Sequence, residues 1–283
     1  MHQQKTHDLE GWVNFLSHTE IPVLKQSARD LARLYEDSEH LSARGVAAII
    51  ARDPMLTVKL LRYLQQHKHR KQEHEVMQVE QALLMLGVEA FFSKLAPKPL
   101  VEEALHEKTG ALVCLLHVVH RSHLASSHAF DWAVMLRDLH FEEVRIAALL
   151  HDLAEILLWC FAPEDMLKVR AMQKRNPSLR SHIAQEEVFG FPLSALQSIL
   201  AREWNLPKLL LALMDNERAN EQRVRNVLLA VDLARHLAHG WDDAALPDDY
   251  RKIGELLNMK PEDVFFMLGA EAGIVCDLNK THS

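Results

Sequence analysis

Apolar residues recur every three or four positions along most of this chain and almost nowhere in alternation, the pattern of helices packed by one face. Residues 8–17 put Leu9, Trp12, Val13 and Leu16 on one side of a predicted short helix. Ile21-Pro22 predicts an extended lead-in over 18–24, because the residue before proline is pushed out of the helical region. A helix through Leu31 and Leu34 follows. Ser42 then reads as the N-cap of a helix over 43–51. Asp53-Pro54 restarts the chain, Asp as cap and Pro as first helical residue. The new helix carries Leu56, Val58, Leu60, Leu61 and Leu64 and dissolves into the polar stretch 65–75. Gly87 closes the helix over 79–86, and Pro97 and Pro99 stop the one after it.

The second half repeats the pattern with longer elements. Helices are predicted over 111–133, over 141–161, from Pro163 to about 175, and over 179–188, 194–204, 207–214 and 222–237. Two short ones close the chain at 248–257 and 261–268. No segment alternates like a strand and no repeat has a fixed period. The fold class expected is all-α. The proline-marked junction suggests subdomains at 1–100 and 101–240, with a helical extension over 241–283.

Composition changes this picture little. The chain has 283 residues, 48% of them hydrophobic and 25% charged, enough for a sizeable core. Only nine Gly, ten Pro and three Tyr again favour helix over sheet. A net charge of −7 gives no global attraction for nucleic acid or an acidic membrane. Cys114, Cys160 and Cys276 lie far apart in apolar contexts, so they read as reduced thiols of a cytoplasmic protein. No secretory leader is visible in residues 1–10, and the most apolar run is interrupted by His151, Asp152 and Glu155, so no membrane span is expected.

That interruption is the strongest chemical signal. Residues 147–158 form an apolar run with a His-Asp pair in the middle of the predicted 141–161 helix. Burying an imidazole and a carboxylate is costly unless they are paired, hydrogen-bonded or bound to metal. Three readings stay open: a metal site, a ligand pocket, or a polar network tying helices together. Other candidates are weaker. Lys68, Arg70 and Lys71 supply a local cluster that could hold an anion or a nucleic-acid phosphate, but no aromatic residue is interleaved. No HxxxH pair among the 18 histidines is joined to a suitable third ligand, but His117, His120 and His123 recur at helical spacing as a weak candidate metal site. Glu186-Glu187 before Phe189-Gly190 reads as a helix end. Glycine is too scarce for a phosphate-cradling loop.

Taken in order, Ile21-Pro22, Arg52-Asp53-Pro54-Met55-Leu56, Leu60-Leu61-Arg62, Leu83-Leu84-Met85-Leu86-Gly87, Leu149-Leu150-His151-Asp152, Glu186-Glu187-Val188-Phe189-Gly190, Trp204-Asn205-Leu206-Pro207 and Ala230-Val231-Asp232 resemble the HDOD domain. That family is a metal-site-degenerate relative of the HD phosphohydrolases, found in bacterial signalling proteins. The resemblance implies a multi-helical HD-like bundle with an N-terminal helical layer. It also implies a degenerate site made of His151, Asp152, Asp232 and, where an earlier ligand belongs, Arg121. Arginine cannot coordinate a metal. His120 or His123 would have to replace it from a helix position turned away by about 100° or more. Further departures are Gln65-Gln66, Glu155 in place of a lysine, Leu193 in place of a histidine, and Glu217-Arg218 where paired histidines are expected.

The resemblance therefore points to a non-enzymatic signalling module that binds a protein partner or a phosphate-bearing small ligand. No cofactor is expected. A divalent metal (Fe, Mn, Zn or Mg) belongs only to the rival reading, an HD-type hydrolase of nucleotides or cyclic dinucleotides holding it through His120, His123, His151, Asp152 and Asp232. A nucleotide- or nucleic-acid-binding regulator is the third reading.

Overall fold

A computed structural model describes residues 8–37, 39–67, 77–95, 97–176 and 178–268. Among these the regular structure is helical, and the sole bridge pairs Val23 with Leu100 in parallel. The first half contains α1 (Leu9–His18), α2 (Lys25–Glu36), α3 (Ala43–Ile50), α4 (Pro54–Gln66), α5 (Val79–Leu86), α6 (Val88–Lys94) and α7 (Val101–Ala104). Then come α8 (Thr109–Met135), α9 (Phe141–Leu150), α10 (Leu153–Phe161), α11 (Pro163–Arg175), α12 (Ser181–Phe189), α13 (Leu193–Glu203) and α14 (Lys208–Leu213). A 3-10 turn, Asn216–Arg218, leads into α15 (Gln222–Leu237), α16 (Leu246–Leu257) and α17 (Pro261–Met267).

Contacts divide the chain into two compact units. One takes in residues up to 119 together with 152–211, the other 120–151 together with 212 onward. In the first, the local signals act as expected. Asp53 Oδ1 accepts from the amides of Met55 and Leu56 at 3.0 and 3.1 Å, with Pro54 opening α4 behind it. Ser42 Oγ accepts from Gly45 at 3.1 Å to start α3. Gly87 takes φ 86 between α5 and α6, a conformation a Cβ would strain. The lead-in before α2 is extended, Val23 exchanging bonds of 2.9 and 3.0 Å with Pro99 and Val101. Leu31, Ile50, Met55, Leu56, Leu60, Leu61, Leu83 and Phe91 are fully buried here. Each contributes about 1.5–3 kcal/mol by leaving water.

The second unit is built on α15, which packs against both α9 and α16. Trp132 and Tyr250 are its largest buried side chains. Asn226, in the middle of α15, donates to the Ala129 carbonyl of α8 at 3.1 Å. Arg223 donates to Asp138 at 2.6 Å. Burial pushes the Asp138 carboxyl up, but Arg223 and the His140 amide prevail and hold it below the usual range.

One expected element is corrected. The helix predicted over 141–161 is two helices, α9 and α10, with His151 and Asp152 in the turn between them. Ile146 to Leu150 are all buried, and so are Leu153, Ala154 and Ile156 to Cys160. The interruption is local: His151 keeps helical angles, whereas Asp152 moves to φ −100 and ψ 22. No single described helix is long and apolar enough to cross a membrane.

Candidate functional site

The His-Asp turn begins where α9 stops. His151 follows Leu150 with near-helical angles, and its amide reaches back only to Ala148, at a long 3.4 Å. Asp152 takes the N-cap position of α10, yet its side chain does not cap the helix. The first-turn amide of Ala154 is instead met by Gln197 Oε1 of α13 at 2.9 Å. Asp152 is 8% exposed, so its carboxylate is held inside the protein.

In the second unit, His151 Nε2 lies 3.3 Å from Asn216 Oδ1, in the 3-10 turn before α15. A hydrogen on Nε2 donates to that oxygen, since an amide oxygen can only accept. Asp232 has a different neighbourhood. Its side chain is 51% exposed and pairs with Arg235 at 3.7 Å, one turn along α15. Further along the same helix, His236 Nδ1 lies 2.5 Å from Asp249 of α16, a carboxylate that is 5% exposed.

The described residues hold no group of three His, Cys, Asp or Glu that could take a metal ion. Arg121 lies on α8, half-buried, and His120 is exposed. Glu155 is half-buried in the first turn of α10, Leu193 is buried at the start of α13, and Glu217 and Arg218 are exposed. Lys68, Arg70, Lys71 and Cys276 lie outside the described residues.

Asn216, Gln197 and the His236–Asp249 pair were not visible as site residues in sequence. Asn216 lies 65 positions from His151 and Gln197 lies 43 from Ala154, and neither sits in a motif. Asp249 carried a weak local signal, an acid in the first turn of a helix.

Comparison with known proteins places this geometry. No curated protein matches the chain. Among solved structures, the response regulator MmoQ from Methylococcus capsulatus str. Bath is similar with a TM-score of 0.64 at 18% identity, over 88% of this chain and 98% of that one. A virulence factor from Campylobacter jejuni subsp. jejuni gives 0.63 at 17%, over 92% and 97%. Identities this low speak for the fold alone. The sequence profile of the HDOD domain matches residues 21–219, a span that runs from the Ile21-Pro22 lead-in through the His-Asp turn to the Asn216 contact. The chain belongs to the HDOD domain family.

Proposed function

We propose that this HDOD protein is a non-enzymatic signal-transduction module of the bacterial cytoplasm that acts by binding a protein partner. The observation that carries this reading is the arrangement around the remnant HD residues. His151 faces Asn216, while the half-exposed Asp232 pairs with Arg235 one turn along its own helix, which supports a structural rather than a catalytic use of both residues. A working phosphohydrolase needs donors converging on a metal with an open position for water or phosphate. The His-Asp turn serves here as scaffold between α9 and α10. Partner binding is supported by side chains of the first unit that stand in water. Tyr35 of α2 is 51% exposed and Leu84 of α5 is 68% exposed. The Tyr35 ring also lies 4.5 Å from that of Phe92 of α6, tilted at 48° to it. Aromatic and aliphatic side chains of this kind anchor interfaces. The net charge of −7 argues against nucleic acid as that partner.

The test is metal content and turnover measured on the same purified protein. Elemental analysis is expected to find no stoichiometric Fe, Mn, Zn or Mg. Hydrolysis of bis(p-nitrophenyl) phosphate with added Mn²⁺ is expected to match that of the His151→Ala variant. Stoichiometric metal lost on His151→Ala, together with turnover that disappears with it, would establish the phosphohydrolase reading instead.

A further inference from the structure

A cleft of about 390 Å³ opens in the first unit, and neither His151 nor Asp152 lines it. One wall is the N-terminal part of α8, through Gly110, Cys114 and His117. The other is α11, through Leu167, Arg170 and Lys174. On each helix these positions recur every three or four residues, so each wall is one continuous helical face.

The charges on these walls are unevenly used. Lys108, just before α8, pairs with Glu164 at 2.9 Å, and Lys168 pairs with Asp165 at 2.7 Å. Those pairs engage both acids of the first turn of α11. Arg170 and Lys174, one turn apart, form no ion pair or hydrogen bond among the described residues. Two neighbouring cations without a carboxylate repel each other and create a positive field at the cleft.

The lining carries two further observations. A Cβ added to Gly110 would meet nothing within 4 Å, and the residue has no left-handed backbone angle to explain it. In a helix, alanine is favoured over glycine by up to about 1 kcal/mol, so neither packing nor a turn calls for glycine here. Its effect is to leave the α8 wall without a side chain at this point of the cleft. Val113 and Leu167, which also line the cleft, are 46% and 37% exposed. Apolar side chains beside a cationic pair suit a ligand with an anionic head and an apolar body. The volume lies within the range of small-molecule sites, about 300–1,000 Å³.

We propose that the α8–α11 cleft binds a small phosphomonoester with an apolar or aromatic body, its phosphate held by Arg170 and Lys174 and its body against Val113 and Leu167. Arginine offers a planar fork to phosphate oxygens and lysine a mobile point charge, a pairing suited to a dianion. The site is independent of the partner-binding reading and survives if that reading fails.

Calorimetric titration of the full chain with AMP, and separately with inorganic phosphate, at physiological ionic strength tests this. AMP is expected to bind saturably and about tenfold or more tightly than phosphate, because only AMP covers the apolar lining. Arg170→Ala with Lys174→Ala should weaken AMP binding by about tenfold or more, and both side chains are exposed, so the fold is retained. Gly110→Leu, which keeps every charge, should also abolish binding by projecting a side chain from the α8 wall into the cleft. AMP should slow alkylation of Cys114. No detectable AMP binding, affinity unchanged in the double variant, or phosphate binding as tightly as AMP would each overturn the proposal.

Discussion

Buried ionisable side chains show how single residues are made to fit this fold. Asp53 is 0% exposed, and burial pushes its carboxyl up, opposed by the amides of Leu56, Leu24 and Met55 and by Ser27. Its Oδ2 accepts from Leu24 at 3.1 Å, so one carboxylate starts α4 and also fixes the lead-in to α2. Asp53→Ala removes a cap and leaves the Leu24 amide without its acceptor. It should cost about 3 kcal/mol in urea unfolding, and Asp53→Asn distinctly less, since an amide oxygen can still accept from α4. A loss below about 1 kcal/mol for Asp53→Ala would contradict this double role. The His236–Asp249 pair gives a pH dependence. Burial disfavours the charged imidazole, but the Asp249 hydrogen bond and charge, with Asp243 and Asp232 farther off, prevail and raise its pKa. Asp249 is itself raised by burial, which outweighs His236 and Lys252. Folded His236 therefore keeps its proton to higher pH than the unfolded chain does. Its contribution is full below the ordinary imidazole value and is lost as pH rises through the raised one. The raised Asp249 tilts stability the same way at lower pH. Urea midpoints should thus fall between about pH 6 and pH 9, and Asp249→Asn should flatten that slope. An unchanged slope in the variant would remove the pair as its cause.

Helix starts and stops were legible because their signals act over a few residues. Ser42, Asp53-Pro54 and Gly87 mark the ends of α3, α4 and α5 where local chemistry places them. The break between α9 and α10 was not legible. His and Asp are tolerated in helices, and the apolar residues on both sides continue the helical pattern, so nothing local marks the change of backbone angles at Asp152. The HDOD motifs located His151, Asp152 and Asp232, but periodicity carries no information on which way a helical side chain is met from afar. That is why Asn216 beside His151 and Arg235 beside Asp232 emerged only in three dimensions. Long-range ties of this kind also join elements. Arg62 of α4 donates to the carbonyls of Ser17 and Thr19 at 2.7 and 3.1 Å, closing the end of α1. Its guanidinium lies 5.5 Å from the centre of the Trp204 ring, just past α13. Lysine cannot reach two carbonyls and an aromatic face from one planar group. Arg62→Lys should therefore destabilise by about 1–2 kcal/mol, and Arg62→Ala by more, in the same denaturation measurement. A neutral Arg62→Lys would show that the clamp is ornamental.

At the scale of the molecule, stability resides in two cores, one for each unit, and the turn that names the motif is divided between them, His151 in one and Asp152 in the other. The first core holds a natural reporter. Cys160 is 8% exposed on α10, with its sulfur 3.9 Å from that of Met55 on α4. Burial above all, then the negative charges of Asp53 and Glu102, pushes its thiol far up, so almost no thiolate exists near neutral pH. Reaction with a disulfide reagent needs both access and ionisation, and in the folded protein Cys160 has neither. Cys114 is half-buried in the lining of the α8–α11 cleft and should react while the protein is folded. With Cys276 replaced by serine, labelling should therefore be biphasic. The fast phase belongs to Cys114 and is insensitive to low urea, whereas the slow phase belongs to Cys160 and rises with the unfolded population of the first core. Asp53→Ala and Arg62→Ala both weaken that core, so each should accelerate the slow phase and spare the fast one. Asp249→Asn acts on the other unit, and its effect on the slow phase measures how far the two cores unfold together. If Cys160 reacted at the Cys114 rate in native buffer, the packing of α10 against the rest of the first core would be wrong.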